Sequence, residues 1–358
     1  MNNNYCVIMS GGIGSRFWPF SRENKPKQFL DFFGTGRSLL QQTFDRFTQL
    51  IPAKNIYIAT NQLYAGLVKQ QLPEITDSQI LLEPTRRNTA PCIAYASYHI
   101  HSLNPQANIV VTPADHLILQ EQHFLKNIQT GLEFVNNYEA LLTLGVKPSR
   151  PETGYGYIQA EETGGRNIQK VRAFTEKPNF EMAKIFFESG DFFWNSGIFL
   201  WNVKTILNAF KLHLPDINTR FGKGMGKYGT PEEKPFIEEE YPMCENISID
   251  YGIMEKAGNV FMLIADFGWS DLGTWGSLYD LAAKDEQKNV TLKCQSLFIE
   301  SNDNLLSLAD GKLAVIQGLN DCIVVESDNV LLICKKSEEQ RIKQFVTDVN
   351  LKYGKKFL

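Results

Sequence analysis

Over its first 280 residues the chain alternates short apolar runs with amphipathic segments, and this alternation constrains the fold more than any other feature. Residues 5–9, 56–60, 80–82, 109–112 and 141–146 read as buried strands, and 39–50, 90–102 and 124–136 as the helices between them. Alternating strand and helix predict an α/β domain on a Rossmann-like, mostly parallel sheet flanked by helices. Past about residue 285 the texture changes. Short β-prone pieces at 296–300, 313–316, 322–326 and 330–334 are separated by Asn, Asp and Gly turns, and 337–351 closes the chain as a helix. The expected division is a domain over 1–285 and a small β-rich domain over 286–358.

Composition narrows the partners. The 358 residues are 43% hydrophobic, enough for a large core. With 36 basic against 40 acidic residues there is no positive field to attract nucleic acid. The six cysteines show no C-x-x-C spacing, which argues against a zinc knuckle and for a reducing, cytoplasmic setting. No apolar run is long enough for a membrane span.

The first strand runs into "SGGIGSRFWPFSRENKPKQFL", residues 10–30. A loop here lies at the carboxyl edge of an open α/β sheet, where ligands bind, and its glycines let backbone N–H groups approach phosphate oxygens. Gly12 and Gly14 are followed by Phe17 where a dinucleotide fingerprint wants Gly or Ala, and no G-x-x-x-x-G-K-[ST] occurs. Arg16, Arg22, Lys25 and Lys27 give the loop its charge, with Arg22 and Lys25 read as solvated. A loop this long in a compact domain is functional or disordered, and its prolines and aromatic anchors favour function. Glu83 and Asp115 each follow a predicted strand and so emerge at the same edge. His99-x-His101 has a metal-site look, but on a helix i and i+2 point to different faces.

These stretches, with "EPTRRNTAP" (83–91), "PADH" (113–116), "ETGYGYI" (152–158), "FTEKP" (174–178), "WNSGIF" (194–199), "SIDYGIMEK" (248–256) and "WSDLGTW" (269–275), resemble the NDP-sugar nucleotidyltransferases in type and order. The F-W-P-F-S-R…P-K-Q-F form resembles the branch that makes GDP-mannose from GTP and mannose 1-phosphate. The resemblance implies a nucleotidyltransferase fold with a small left-handed β-helix-like domain at the C-terminus. It implies Mg²⁺ held by Asp115 and Asp271, and a triphosphate cradle of Gly11, Gly12, Gly14, Ser15 and Arg16. Lys27 is then the charge at the reacting phosphate, Glu83 and Asn88 the guanine contacts, and Gly156, Glu176, Lys177 and Asn195 the sugar-phosphate pocket. A homodimer is left open. The alternative within the family is a transferase for another sugar 1-phosphate or another nucleotide, and two other classes compete: a catalytically dead nucleotide-sugar-binding subunit, which the full reactive set argues against, and a glycosyltransferase, which would carry a D-x-D motif at a strand end of the first domain.

Overall fold

The computed structural model describes residues 3–12, 14–161 and 167–358; Ile13 of the glycine loop lies outside them. Two compact units divide the chain. One comprises Met1–Gly11, Thr43–Ala114 and Ile118–Trp269, the other Gly12–Gln42, Asp115–Leu117 and Ser270–Leu358.

In the first unit the apolar runs form strands β1 (Asn4–Met9), β2 (Ile56–Asn61), β3 (Ile80–Glu83) and β4 (Asn108–Pro113), all parallel and ordered β3-β2-β1-β4. A short strand β5 (Leu117–Ile118) follows where the chain passes between units. The sheet continues through β6 (Leu141–Val146), β7 (Tyr157–Ala160), β8 (Ile168–Thr175), β9 (Phe192–Asn202) and β10 (Val260–Ala265). Its nine strands run β3-β2-β1-β4-β9-β6-β10-β8-β7, with β7 also paired to β9. The sheet is mixed, a correction to the mostly parallel expectation: β9 is antiparallel to β4, β6 and β7, and β8 to β7 and β10. Apolar runs report burial on both faces, which central strands share whatever their direction.

Helices α1 (Leu39–Thr48), α2 (Ala65–Gln71), α3 (Thr89–Leu103), α4 (Glu121–Asn137), α5 (Phe180–Ser189), α6 (Val203–His213), α7 (Pro215–Gly222) and α8 (Glu233–Glu240) connect these strands. Asparagine starts several of them: Asn88, Asn179 and Asn202 each accept a hydrogen bond from a backbone N–H of the first turn. Val7, Ile109 and Val111 of the sheet pack with Ile93 and Ile100 of α3, Phe210 of α6 and Phe221 of α7 in one buried core. His99 is buried on α3, its Nδ1 2.7 Å from Glu233 Oε1, as a hydrogen-bonded core histidine.

The second unit has its own core, built on aromatics from the signature loop. Phe17 packs edge-on against Phe32 (4.8 Å) and Trp275 (5.0 Å), and Leu272, Val290, Leu305 and Ile323 join them. The loop is thus shaped by its side chains, with single 3-10 turns at Ser15–Phe17 and Lys27–Phe29. After the short strand β11 (Trp269–Ser270) and helix α9 (Trp275–Leu281) come two small sheets. In one, β12 (Val290–Leu292), β14 (Leu305–Ser307) and β16 (Cys322–Ser327) are parallel, with β17 (Val330–Lys335) antiparallel at the edge; in the other, β13 (Gln295–Ile299) pairs in parallel with β15 (Leu313–Gln317). Helix α10 (Ile342–Tyr353) follows a 3-10 stretch at Lys336–Arg341.

This C-terminal part grips the loop at three points. Arg16 Nε donates to Gln340 Oε1 at 3.1 Å, Trp18 Nε1 to the Phe357 carbonyl at 2.8 Å, and Arg22 to the Ser327 carbonyl at 2.8 Å and Asn329 Oδ1 at 3.2 Å. Arg22 is therefore not the solvated charge expected; its side chain is 11% exposed.

Candidate active site

β1 lies between β2 and β4 in an open parallel array, the switch point at whose carboxyl edge such sheets bind ligands. Ser10 leaves β1 there, tied by its N–H to the Ala59 carbonyl (2.7 Å) and by its own carbonyl to the Thr60 hydroxyl (2.8 Å). Glu83 ends β3 beside Asn61 at the same edge. Glu83 is 8% exposed, and its Oε1 accepts a hydrogen bond from the Tyr241 hydroxyl. Burial pushes the Glu83 carboxyl up, against the opposing bonds from Tyr241 and Cys92 and the charge of Arg86. Asn88 stands at the N-terminus of α3 with φ +65°, its side chain bonded to Thr89 N–H.

A second group gathers where β6, β7, β8 and β9 meet. Asn195 N–H donates to the Gly156 carbonyl (2.8 Å), its Oδ1 accepts from Thr143 (3.0 Å), and its Nδ2 donates to Asp250 Oδ1 (2.9 Å). Lys177 Nζ pairs with Glu176 Oε1. Gly156 leaves room for the Glu176 carboxylate: a Cβ on it would come within 2.3 Å of Glu176 Oε2 and push that side chain aside. Asp250 opens a single π-helical turn, Asp250–Met254, a distortion common at functional sites. Desolvation and the nearby Glu176 charge push its carboxyl up to about 7.

The third group lies in the second unit. Lys27 is 4% exposed, and its ammonium reaches Asp115 Oδ2 (2.7 Å), the Asp271 carbonyl (2.7 Å) and the Leu272 carbonyl (3.0 Å). Leu272 takes φ +46°, a left-handed conformation unusual for a branched residue and consistent with strain at a functional position. Gly14, at φ +66°, would place a Cβ 2.5 Å from Lys27 Cβ, so only glycine lets the loop close over this lysine. Burial would raise the Asp115 carboxyl, but Lys27 and His116 hold it below the usual range.

The predicted residues thus fall into three clusters. Glu83 lies near Gly11, whose added Cβ would meet Glu83 Oε2 at 3.2 Å; Gly156, Glu176, Lys177 and Asn195 come together; and Lys27, Asp115 and Asp271 come together. Arg16 is held on Gln340, while Gly12 and Ser15 complete the loop beside it. Two participants went unassigned. Asp250 was within reach of sequence reasoning, since it lies in the quoted "SIDYGIMEK"; Tyr241 lies in no such stretch and carries no signal.

An open α/β sheet with a buried carboxylate at this edge marks a ligand site, and the profile of the nucleotidyl transferase family matches residues 5–288. The chain belongs to that family. Its relatives carry a more particular name. Mannose-1-phosphate guanylyltransferase RfbM of Salmonella typhimurium is 38% identical over 345 residues, covering 95% of this chain and 71% of that protein. Mannose-1-phosphate guanylyltransferase of Escherichia coli is 33% identical over 354 residues, covering 96% and 75%. A crystal structure described as mannose-1-phosphate geranyltransferase from Thermus thermophilus superposes with a TM-score of 0.88 at 28% identity, covering 97% of this chain and 99% of that one.

Proposed function

We infer that this chain transfers GMP from GTP to α-D-mannose 1-phosphate, giving GDP-mannose and diphosphate. The observation that carries the reading is the intact Lys27, Asp115 and Asp271 cluster, which a catalytically dead nucleotide-sugar-binding subunit would have no cause to keep. A phosphate oxygen of the sugar phosphate attacks the α-phosphorus in line, that P–O bond forms, the bond to diphosphate breaks, and the chain supplies position and charge.

In this reading Glu83 and Asn88 receive guanine, Gly11, Gly12, Gly14, Ser15 and Arg16 the triphosphate, and Gly156, Glu176 and Asn195 the sugar hydroxyls. Lys177 holds the sugar's phosphate and Lys27 the charge developing at the α-phosphate. Mg²⁺ suits the donor types: the Asp115 carboxylate pairs with Lys27 Nζ, Asp271 meets the same ammonium through its main-chain carbonyl while its own Oδ1 accepts from Gly273 N–H, and magnesium takes one or two carboxylates with the rest from phosphate and water. Bound there, it would neutralise phosphate charge.

Family-profile coverage that ends at residue 288 supports a catalytic domain over 1–285 followed by a β-rich domain over 286–358. Parallel partners in that part are 15 or 18 residues apart, as in Val290 with Leu305 and Gln295 with Leu313, which supports a β-helix-like coil. The cysteines form no disulfide, which supports a cytoplasmic location, and among the described residues no helix is long and apolar enough to cross a membrane. Exposed Leu297 and Val315, paired across β13 and β15, support the homodimer. The test of function is diphosphate release with each common nucleoside triphosphate crossed with mannose, glucose and fucose 1-phosphates. GTP with mannose 1-phosphate should turn over fastest, and a faster pair, or tight GDP-mannose binding without turnover, overturns the reading.

A further inference from the structure

Glu83 is asked to do something difficult. It must stay an anion in a pocket that leaves it 8% exposed, and it must hold one orientation. An ionised carboxylate has about four lone-pair sites. Two are occupied from inside the protein, by the hydroxyl of Tyr241 on Oε1 and by the thiol of Cys92 in the first turn of α3. Two remain, the number guanine needs for its N1–H and N2–H.

Tyr241 is fully buried, its ring edge-on to Phe221 at 6.0 Å. Burial and the Glu83 charge drive its phenol well above its ordinary value, so the group is a permanent donor. The other titratable or charged groups facing this pair are Arg86 after β3, Cys92 on α3 and Cys244 beyond the Tyr241 turn. Arg86 is the cation among these.

We propose that Tyr241 is a positioning residue that sets the choice of purine, by holding Glu83 ionised and aligned as a double acceptor. The proposal rests on the reading that Glu83 meets guanine. Its chemistry is a proton count. Ionised, Glu83 accepts from guanine and repels the N1 lone pair of adenine. Protonated, it donates to adenine N1 and loses one acceptor for guanine. Burial already favours the protonated form, and the Tyr241 hydroxyl opposes it. Removing that hydroxyl therefore lets adenine in, and more so as pH falls.

The experiment compares kcat/KM for GTP and ATP, with mannose 1-phosphate, from mildly acid to mildly alkaline pH in wild type, Tyr241→Phe and Glu83→Gln. Tyr241→Phe keeps the buried ring. It should narrow the GTP preference about 10- to 100-fold, chiefly through KM for GTP, and make the preference fall toward acid pH. Ring-fluorinated tyrosine at 241, a stronger donor of nearly the same shape, should hold the preference to lower pH than wild type. If Glu83→Gln collapses the preference while both Tyr241 variants leave its size and pH profile unchanged, Tyr241 does not position Glu83. If Glu83→Gln itself leaves the preference intact, guanine is read elsewhere and the proposal falls with that reading.

Discussion

Replacing Lys27 by methionine removes a charge whose hydrogen-bonding capacity is spent within the protein. The ammonium has three protons and three oxygen partners, at 2.7, 2.7 and 3.0 Å. Methionine fills the stem's space but leaves the Asp115 carboxylate and two carbonyls without their donor. Breaking a buried ion pair costs about 3–5 kcal/mol. The Asp115 side chain is 28% exposed, so water recovers part of that, and about 3 kcal/mol is the better figure. Catalysis should fall further, by about 10²–10³ in kcat if Lys27 acts as a preorganised charge in the transition state. Urea denaturation followed by tryptophan fluorescence reads the first effect, and diphosphate release at saturating substrates the second. Asp115 has a lowered carboxyl, so the pair's stabilisation is present above the ordinary carboxylate range and lost as pH falls through the lowered value. Lys27→Met should erase that part of the acid sensitivity. Unchanged kcat would refute the catalytic assignment, and an unchanged urea midpoint would refute the clamp.

Three further outcomes are expected. Asp115→Asn and Asp271→Asn should each lower kcat by about 10²–10³ at saturating magnesium, and near-normal turnover in both would remove the metal assignment. Gly156→Ala should raise KM for mannose 1-phosphate far more than KM for GTP, since its Cβ would displace the Glu176 carboxylate, and equal KM changes would contradict this. Asp250, with its carboxyl raised to about 7, contributes stability that is full below its ordinary value and lost as pH rises through about 7. Asp250→Asn keeps an oxygen for Asn195 and should flatten that loss, which urea midpoints on either side of about pH 7 will show; an unchanged slope would place the titration elsewhere.

The placement of several candidate residues was legible because strand ends are legible. Apolar runs end where the chain leaves the sheet, so Glu83 and Asp115 could be placed at the carboxyl edge from their neighbours alone, and β3 and β4 end at Glu83 and Pro113. Strand direction was not legible, since β9 shows the same apolar texture as the parallel strands beside it. β12 and β14 escaped notice because three residues are too few for a period to show. Arg22 was misread because surface exposure is the default for arginine, while its partners here are Ser327 and Asn329, far along the chain. Tyr241 illustrates the same limit: its role comes from a contact with Glu83 across 158 positions, and neither neighbourhood encodes it.

The grip of the C-terminal part on the signature loop gives the two stretches a shared lifetime. Arg16 is held by Gln340 and Trp18 by Phe357, on either side of α10, so an opening that peels α10 away also releases this turn of the loop, whereas Arg22 stays on Ser327 and Asn329 between β16 and β17. Backbone amides of residues 15–18 and 342–353 should then exchange with solvent as one cooperative unit, at rates set by the detachment of α10 and not by the nine-stranded sheet.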